Sequence, residues 1–408
     1  MGAASAIRYV LQVPEASRAG LTMSAPARRF DQPTRRGRAR RVLHVFGTMH
    51  RGGAELRTVE IMRRTDPALV VQEFAALSGA PGTLDDEIRQ LGGAVHPCRL
   101  DAGFAPRFMR LIRERGIDVV HSHVFLTSGL MLALAFAVGV PQRIAHFRST
   151  SDGQPSTVRR RAYRLGMRRM LDFTATDLLG VSAASLAEGW SPEWQRDPRC
   201  QVIYNGVDPA RFADAVDDGS VRAELGVPPG TPLLVQVGRF DPPKNHLFTA
   251  TLLPLLPHAH VVFVGRGGTA LEAETRRRLA ASGCLDRAHF VGERPDVGRW
   301  LVAADASILP SVIEGLPGVV LESLACGTPV VAADLPGVHE IAERVEGVTV
   351  VTTTSPRPWA DALQAMSSPT PAARARRRAV LAASPFTIDA AVAAHVALWT
   401  RPSRRGDS

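Results

Sequence analysis

Short apolar runs alternate regularly with longer amphipathic segments, and this pattern restricts most strongly how the 408-residue chain can fold. The runs are rich in β-branched side chains, as strands are. A first series comprises VLHVF (42–46), VVHSHV (119–124), RIAHF (143–147), LLGVS (178–182) and QVIYNG (201–206). Strands that alternate with helices form a parallel sheet covered on both faces, so the series predicts one such domain.

A second series follows the link 208–231, whose acids, glycines and paired prolines separate it from the first. Its runs are PLLVQVGRF (232–240), HVVFVG (260–265), HFVGE (289–293), ASILPS (306–311), PVVAAD (329–334) and VTVVT (348–352). The length also favours two domains. We therefore predict an α/β fold of two doubly wound, Rossmann-like domains facing across a cleft, over 41–207 and 208–385.

The formal net charge of +10 lies mostly at the two ends of the chain. Eight arginines oppose two acids in residues 1–40, and three oppose one acid in 401–408, which leaves about +2 for the body. We expect a disordered basic extension and a disordered tail there, and no nucleic-acid partner. The four cysteines have no metal-ligand spacing, and no apolar stretch reaches the ~18 residues of a membrane span.

Two loops after predicted strands have the composition of phosphate-binding loops. GTMHRGGAE (47–55) places Gly52 and Gly53 before a helix-like segment, where backbone N–H groups can face an anion. The same pair of glycines is equally compatible with a plain tight turn. GRFDPPKNH (238–246) holds Arg239 and Lys244, the only lysine of the chain, and two cations at a cleft suit a diphosphate. The other interpretation is a pair of solvated charges.

A pair of glutamates marks a third loop, EGLPGVVLE (314–322). Glu314 lies on the loop and Glu322 inside the predicted helix, while Gly315 allows close approach to a ligand. A carboxylate can accept two hydrogen bonds from a vicinal diol, so Glu322 fits a ribose and Glu314 fits sugar hydroxyls. Alternatively, the two carboxylates are a helix N-terminal charge and a surface charge.

The segments quoted from these loops, with SVIEGLPGVVLESLACGTPVVAAD, resemble glycosyltransferase family 4, the retaining enzymes of the two-domain GT-B fold. The resemblance spans about residues 41–352. HVFGTMHRGGAE, HSHVFLTSG and RIAHFRST are similar to the branch that builds exopolysaccharide and capsule repeat units. In this fold a terminal helix packs back on the first domain, which implies that role for 386–400.

The resemblance implies a role for each motif residue. Arg239 and Lys244 bind the donor diphosphate, Glu322 binds the ribose, and Glu314, with Gly315 and Leu316, lies beside the donor sugar. Gly52 and Gly53 close over the phosphates from the other domain. No metal and no cofactor are expected, since the nucleotide-sugar is a co-substrate and no Asp-x-Asp occurs in the sequence.

The family also places a histidine near the transferred sugar, which implies His123, although a strand-ending histidine is often structural. His121, two residues earlier, is expected to be structural. Relatives that resemble this branch more often carry a small or histidine side chain where this chain has Arg148. An arginine facing the cleft there favours an anionic acceptor such as a lipid diphosphate, while a surface arginine carries no such implication.

The implied reaction is transfer of a hexose from a UDP-sugar, or from a GDP-sugar, to a lipid-linked or polysaccharide acceptor. The basic segment 158–170 either lies on the anionic inner face of the cell membrane or is a solvated helix face of a cytoplasmic protein. Three alternatives are a nucleotide-sugar epimerase of the same fold, a transferase with a small soluble acceptor, and a binding protein without catalysis. The oligomeric state is left open.

Overall fold

The computed structural model describes residues 38–151, 154–366 and 368–402. Most of the predicted extension 1–40 and of the predicted tail 401–408 lies outside these residues. The described part of the extension is ordered. Arg40 already begins the first strand, one residue before the predicted domain start, and Arg38 pairs with Asp118. At the other end, Arg401 forms an ion pair with Asp177.

A first sheet has seven parallel strands in the order β3-β2-β1-β4-β5-β6-β7. Its strands are β1 (Arg40–Phe46), β2 (Val70–Ala76), β3 (Ala94–Pro97), β4 (Val119–Ser122), β5 (Gln142–Phe147), β6 (Asp177–Gly180) and β7 (Cys200–Val202). The five predicted strands are present, but the predicted series was incomplete because it omitted β2 and β3. In β2 the polar Gln72 and Glu73 interrupt the apolar run, and β3 is a short, partly exposed edge strand.

A second sheet has six parallel strands in the order β10-β9-β8-β11-β12-β13. They are β8 (Leu233–Val237), β9 (His260–Val264), β10 (Ala288–Gly292), β11 (Ala306–Leu309), β12 (Val330–Ala333) and β13 (Val348–Val351). All six correspond to the predicted runs. The central residues of β8, β9, β11 and β12 are almost fully buried, as the continuous apolar sequences of a parallel sheet require, whereas those of the edge strands β10 and β13 are partly exposed.

Helices connect successive strands and cover the sheets. Those of the first half are α1 (Gly53–Arg64), α2 (Asp85–Gln90), α3 (Phe104–Arg115), α4 (Ser128–Ala137), α5 (Val158–Thr174) and α6 (Ala183–Gly189). The link 208–231 contains α7 (Ser220–Leu225). The rest are α8 (His246–Leu252), α9 (Ala270–Ala281), α10 (Val297–Ala303), α11 (Gly318–Ala325), α12 (Pro336–Ala342), α13 (Pro356–Gln364), α14 (Pro371–Ala382) and α15 (Ile388–Thr400). No described helix combines the length and the apolar character that crossing a bilayer requires.

The last helix, α15, lies against the first sheet and against α1. Trp399 is fully buried there among Val42, Val119 and Ile144 of the first sheet. Gln142 of β5 donates to the carbonyl of Leu398 over 3.0 Å. The end of the chain is therefore part of the core beneath the first sheet, although it follows the second sheet in sequence.

The strand order reverses at β1/β4 in the first sheet and at β8/β11 in the second. Ligands of doubly wound sheets bind outside the carboxyl ends of the strands at such reversal points. The loops that leave β1 and β4 hold Gly52 and His123, and the loops that leave β8 and β11 hold Lys244 and Glu314. The topology thus brings all the predicted motif loops to the reversal points.

Candidate active site

The loop after β8 fixes the position of Lys244. Residues 242–244 form a short 3-10 turn, and Asn245, in a left-handed conformation, anchors it by donating to the carbonyl of Pro310 over 3.1 Å. Gln236 donates to the Lys244 carbonyl over 2.8 Å. The lysine head group then reaches Oε1 of Glu314 over 2.6 Å. The predicted cation and the predicted sugar-side carboxylate therefore form an ion pair.

Arg239 lies on the same loop with its side chain half exposed. Its guanidinium is 3.1 Å from Oδ2 of Asp241. Because this pair is exposed and local, it contributes little stability, and the guanidinium can turn toward an incoming anion at little cost.

The loop after β11 passes directly against the first half of the molecule. A Cβ on Gly315 would lie 2.4 Å from the carbonyl oxygen of Arg148, so only glycine fits there. The next residue, Leu316, is buried, and its carbonyl accepts from the side chain of Asn205 over 3.4 Å. Thr150 donates to the carbonyl of Glu314 over 3.5 Å. These contacts place residues 314–316 at the junction of the two sheets' loops.

Glu322 lies on α11, one turn after the helix begins at Gly318. Its carboxylate is paired with Arg57 of α1, a residue that the sequence analysis did not identify. The pair joins residues 265 positions apart, so no local sequence pattern indicates it. Arg57 also pairs with Glu60 one turn further along α1.

The paired glycines lie where α1 begins, as expected, with Gly52 at its N-cap and Gly53 as its first residue. The side chain of Glu55 folds back toward this N-terminus and accepts a hydrogen bond from its own backbone N–H. A Cβ on Gly52 would lie 2.3 Å from Oε2 of Glu55. Burial raises the pKa of the Glu55 carboxyl, while its own backbone N–H and the charges of Arg148 and Arg239 act in the opposite direction. Glu55 is thus a cleft carboxyl that the sequence analysis missed.

His123 follows β4 and is nearly buried, with its ring stacked on Phe46 at a centroid distance of 4.3 Å. Nε of Arg148 donates to its Nδ1 over 3.2 Å. A guanidinium can only donate, so His123 carries its proton on Nε2, which donates to Nδ1 of His44 over 3.1 Å. His44 then donates from Nε2 to Gln72 over 3.1 Å. Both ring nitrogens of His123 are therefore engaged within the protein.

Arg148 links three parts of the first half of the molecule. Besides His123 it donates to Asn205 over 2.9 Å and to Thr58 over 3.2 Å. Burial lowers the pKa of its guanidinium to about 10, partly offset by the charge of Glu55. Among the described residues it forms no ion pair with a carboxylate. It is a partly buried cation in the cleft, rather than an open surface residue.

A second histidine chain lies deeper, under the first sheet. Trp399 donates to Nδ1 of His121 over 3.2 Å, so His121 carries its proton on Nε2, 3.1 Å from Nδ1 of His146. His395 of α15 donates from Nδ1 to the carbonyl of Ala391 over 2.7 Å. Burial lowers the pKa of all these imidazoles, as it does for His44 and His123, so they are neutral near pH 7.

The same rings form the two groups of described side chains that could hold a metal ion. In each group the ligand nitrogens lie within 4.8 Å of one another: His44, His121 and His123, and His121, His146 and His395. Neither group contains a carboxylate, the cationic Arg148 is adjacent, and Trp399 already donates to His121. Three neutral imidazoles can bind a zinc ion, but here ring nitrogens of His123 and His121 already accept hydrogen bonds from Arg148 and Trp399, so the residues fit a neutral hydrogen-bonded network better than a metal site.

Each half of the chain matches the model of a known protein family. The model for Glycosyltransferase Family 4 matches residues 39–211, and the model for Glycosyl transferases group 1 matches residues 231–368. The chain is 30% identical to the putative glycosyltransferase EpsF of Bacillus subtilis over 77% of this chain and 83% of that protein. It is 27% identical to the capsular polysaccharide biosynthesis glycosyltransferase CapH of Staphylococcus aureus, over 80% and 91% of the two chains.

Solved structures share the whole architecture. The Anabaena protein HepE, in complex with UDP and glucose, has a TM-score of 0.74 at 18% identity and covers 88% of this chain and 99% of its own. WaaG, a glycosyltransferase involved in lipopolysaccharide biosynthesis, has a TM-score of 0.70 at 16% identity, covering 90% and 100%. The predicted GT-B arrangement of two doubly wound domains is confirmed.

Proposed function

The chain is a member of glycosyltransferase family 4, as its motifs predict, and we propose that it transfers a hexose from a nucleotide diphosphate donor to a lipid-linked or polysaccharide acceptor. The pathway is assembly of a capsular polysaccharide, the process named for CapH, or of an exopolysaccharide. One observation carries the proposal: Lys244 and Glu314 meet at the strand-order reversal of the second sheet, opposite the glycine loop of the first.

The cations of the β8 loop stabilise the departing diphosphate. Breaking the bond between the sugar and the phosphate accumulates negative charge on the diphosphate oxygens, and fixed positive charge in a closed cleft lowers that barrier. Lys244 has a fixed position, while Arg239 is exposed and able to turn. The two side chains supply the charge that a metal supplies in other transferases, so we propose a metal-independent reaction.

The anomeric configuration is retained in this proposal. The acceptor hydroxyl attacks from the face that the nucleotide leaves, and no protein side chain acts as a nucleophile. Glu314 lies beside the transferred sugar, where its carboxylate accepts hydrogen bonds from the sugar hydroxyls and holds the Lys244 ammonium in place for the diphosphate. His123 contributes a wall of that pocket through its ring, since both its nitrogens are engaged.

UDP-sugars are the favoured donors, with GDP-sugars as the second choice. The solved structures of HepE contain UDP, and one contains UDP-glucose. Glu322 is placed to accept from the ribose hydroxyls, which both nucleotides share. This carboxylate therefore does not select between the two bases, and an experiment has to identify the base and the sugar of the donor.

The acceptor side is suited to a lipid diphosphate at a membrane surface. Arg148 places a cation in the cleft that has no carboxylate partner within the part of the chain that the structure describes. The outer face of α5 presents an exposed stripe of alternating basic and apolar side chains: Val158, Arg161, Leu165, Arg169 and Phe173. Phe136 of α4 extends the stripe by packing edge-on against Phe173 at 5.5 Å. Arginines with apolar neighbours on one helix face suit an anionic bilayer.

A donor screen with the full chain tests the reaction. Purified protein is incubated with UDP-glucose, UDP-galactose, UDP-N-acetylglucosamine and GDP-mannose, with and without a polyprenyl-diphosphate-linked sugar, and release of nucleoside diphosphate is measured. We expect release with one donor to depend on the lipid acceptor and to persist in EDTA. Conversion of the donor sugar without any acceptor would instead establish an epimerase, and dependence on a small soluble sugar would overturn the lipid acceptor.

Flotation with vesicles tests the membrane surface. We expect binding to phosphatidylglycerol vesicles, weaker binding to phosphatidylcholine vesicles, and loss of binding in the double variant Leu165→Glu, Phe173→Glu. Arg376→Glu on α14, a basic helix of the second half, is the matched control and should bind as the wild type does. Equal binding by the double variant would contradict the assignment of this face.

A further inference from the structure

A chain of ion pairs connects the two halves of the molecule at the candidate donor site. Glu322 of α11 pairs with Arg57 of α1, Arg57 pairs with Glu60, and Glu60 pairs with Arg211 of the link. The Arg57 and Glu60 side chains are only 7% and 5% exposed, whereas Glu322 retains 22%. The buried members are thus fully paired, and the carboxylate at the end of the chain is the one that remains accessible.

The position of Arg57 is fixed from two sides. On its own helix the guanidinium is held by Glu60, and across the cleft it lies over the first turn of α11, where a Cβ on Gly318 would be 3.5 Å from its Nη2. Burial alone would lower the pKa of Arg57, but the charges of Glu322 and Glu60 raise it. The guanidinium is therefore a permanent cation in one place.

We propose that Arg57 is a positioning residue for donor recognition: it holds the carboxylate of Glu322 charged and oriented toward the ribose hydroxyls. This inference rests on the proposed function, because it takes Glu322 as the residue that binds the ribose. Arg57 contacts Oε1 of Glu322, and each carboxylate oxygen accepts more than one hydrogen bond. The diol can therefore bind to a carboxylate that is already paired.

The alternative is that Arg57 blocks Glu322 and is displaced by the ribose. A hydroxyl that donates to the Glu322 carboxylate forms a charge-assisted hydrogen bond, but the Arg57 guanidinium adds to its own hydrogen bond the attraction between two opposite charges. Displacement would also break a largely buried ion pair, which is strongly unfavourable. A neutral diol cannot outcompete the guanidinium on these terms, so the diol adds to the pair.

The arrangement couples the ribose to the approach of the two domains. Arg57 belongs to the helix that follows the glycine loop of the first sheet, and Glu322 belongs to the second. The oriented carboxylate exists only while α1 and α11 are adjacent. A nucleotide whose 2′-hydroxyl donates to the oriented carboxylate binds more tightly, and a 2′-deoxynucleotide gains less affinity from the same orientation.

Binding of UDP and of 2′-deoxy-UDP to single variants tests the proposal by calorimetry. We expect Arg57→Gln to weaken the binding of UDP at least tenfold and the binding of 2′-deoxy-UDP less than threefold. Arg57→Lys should recover part of the lost affinity. Glu322→Gln should show the same selectivity, and the double variant should lose no more than Glu322→Gln alone. Arg64→Gln is the matched control, since Arg64 lies on the same helix and pairs with Asp208 instead.

Three outcomes would overturn the proposal. Tighter UDP binding by Arg57→Gln would make Arg57 a competitor of the ribose, equal weakening of both nucleotides would make it a phosphate ligand, and unchanged binding would leave it without a role. Thermal melting confirms that each variant is folded, with Arg57→Lys as the charge-preserving form. If the wild type bound no nucleoside diphosphate at all, the proposed function itself would fail, which is a distinguishable result.

Discussion

The Nζ of Lys244 lies 2.6 Å from Oε1 of Glu314, so the only lysine of the chain is paired with the carboxylate proposed to lie beside the donor sugar. A Cβ on Gly238 would be 3.4 Å from the lysine stem, which shows how closely the stem crosses the backbone of the same loop. The site therefore accommodates a narrow side chain that ends in a compact charge. Arginine is planar and larger, and it distributes its charge over a fork.

Replacement of Lys244 by arginine should reduce turnover at least tenfold, although the charge is preserved. Replacement by alanine should reduce it about 10²–10³-fold, the cost of losing one preorganised group that stabilises a developing charge. Initial rates of nucleoside diphosphate release measure both effects. Arg277→Lys, at an exposed position of α9, is the control for an Arg/Lys exchange and should leave the rate unchanged. Wild-type turnover in Lys244→Arg would contradict a site shaped for an ammonium group.

Gly315 should tolerate no side chain. An added Cβ would lie 2.4 Å from a backbone carbonyl, that of Arg148, so the backbone of one loop has to move. Overpacking of this kind costs about 1–3 kcal/mol. We expect Gly315→Ala to lower the midpoint of urea unfolding and to reduce activity, because it moves Glu314. Gly166→Ala on α5 is the control: nothing lies within 4 Å of its Cβ, and a helical alanine should raise stability.

The overall architecture could be predicted because parallel strands buried on both faces have continuous apolar sequences. The motif loops could be placed because each follows such a strand. Strand β2 was missed because Gln72 and Glu73 look like surface residues in sequence, and β3 was missed because it is a short, partly exposed edge strand. In the fold, Gln72 binds His44, and Glu73 pairs with His96 and Arg115.

The contacts across the cleft could not be predicted from the sequence, for a different reason. Pairs such as Arg57 with Glu322 depend on how two sheets face each other, and no periodicity within one helix records that relation. The same holds for the glutamate that covers the glycine loop. Glu55 stands within the quoted motif, yet only its burial near Arg148 distinguishes it from an ordinary helix N-terminal charge. The sequence thus indicated which loops meet at the strand-order reversals, while the ion pairs between those loops depend on the three-dimensional fold.

The buried histidines should make the protein unstable in acid. Burial lowers the pKa of His44 to about 3 and that of His395 to about 4, whereas an unfolded histidine titrates near 6.5. The unfolded state therefore binds more protons below pH 6.5, and stability falls as the pH drops from there toward 4. Each buried histidine contributes about 1.4 kcal/mol per pH unit in that window.

Urea unfolding at pH 5, 6, 7 and 8 measures this dependence. We expect a steep loss of stability between pH 6 and 5 and little change between pH 7 and 8. His395→Phe should reduce the slope below pH 6, because one neutral imidazole is removed from the network. A stability that does not vary from pH 8 to 5 would contradict the neutral state of the cluster.

Trp399 should determine the proton position on His121. Its indole N–H donates to Nδ1, so the wild-type His121 should carry its proton on Nε2 and donate from there to Nδ1 of His146. Trp399→Phe removes the donor and leaves a buried nitrogen unsatisfied, which costs about 1–3 kcal/mol. Long-range ¹⁵N–¹H spectra of the histidine rings should show the Nε2–H form in the wild type and a mixture of forms in the variant.

Trp359→Phe is the matched control, because that buried indole donates to the carbonyl of Thr353 in the second half of the molecule. It should lower stability by a similar amount and leave the histidine spectra unchanged. An Nδ1–H form of His121 in the wild type would reverse the order of donors and acceptors derived from Trp399. The Trp399 side chain would then stabilise the contact of α15 with the first sheet through packing alone, and the truncation Trp399→Ala would cost about 3–5 kcal/mol as an apolar cavity rather than through the hydrogen bond.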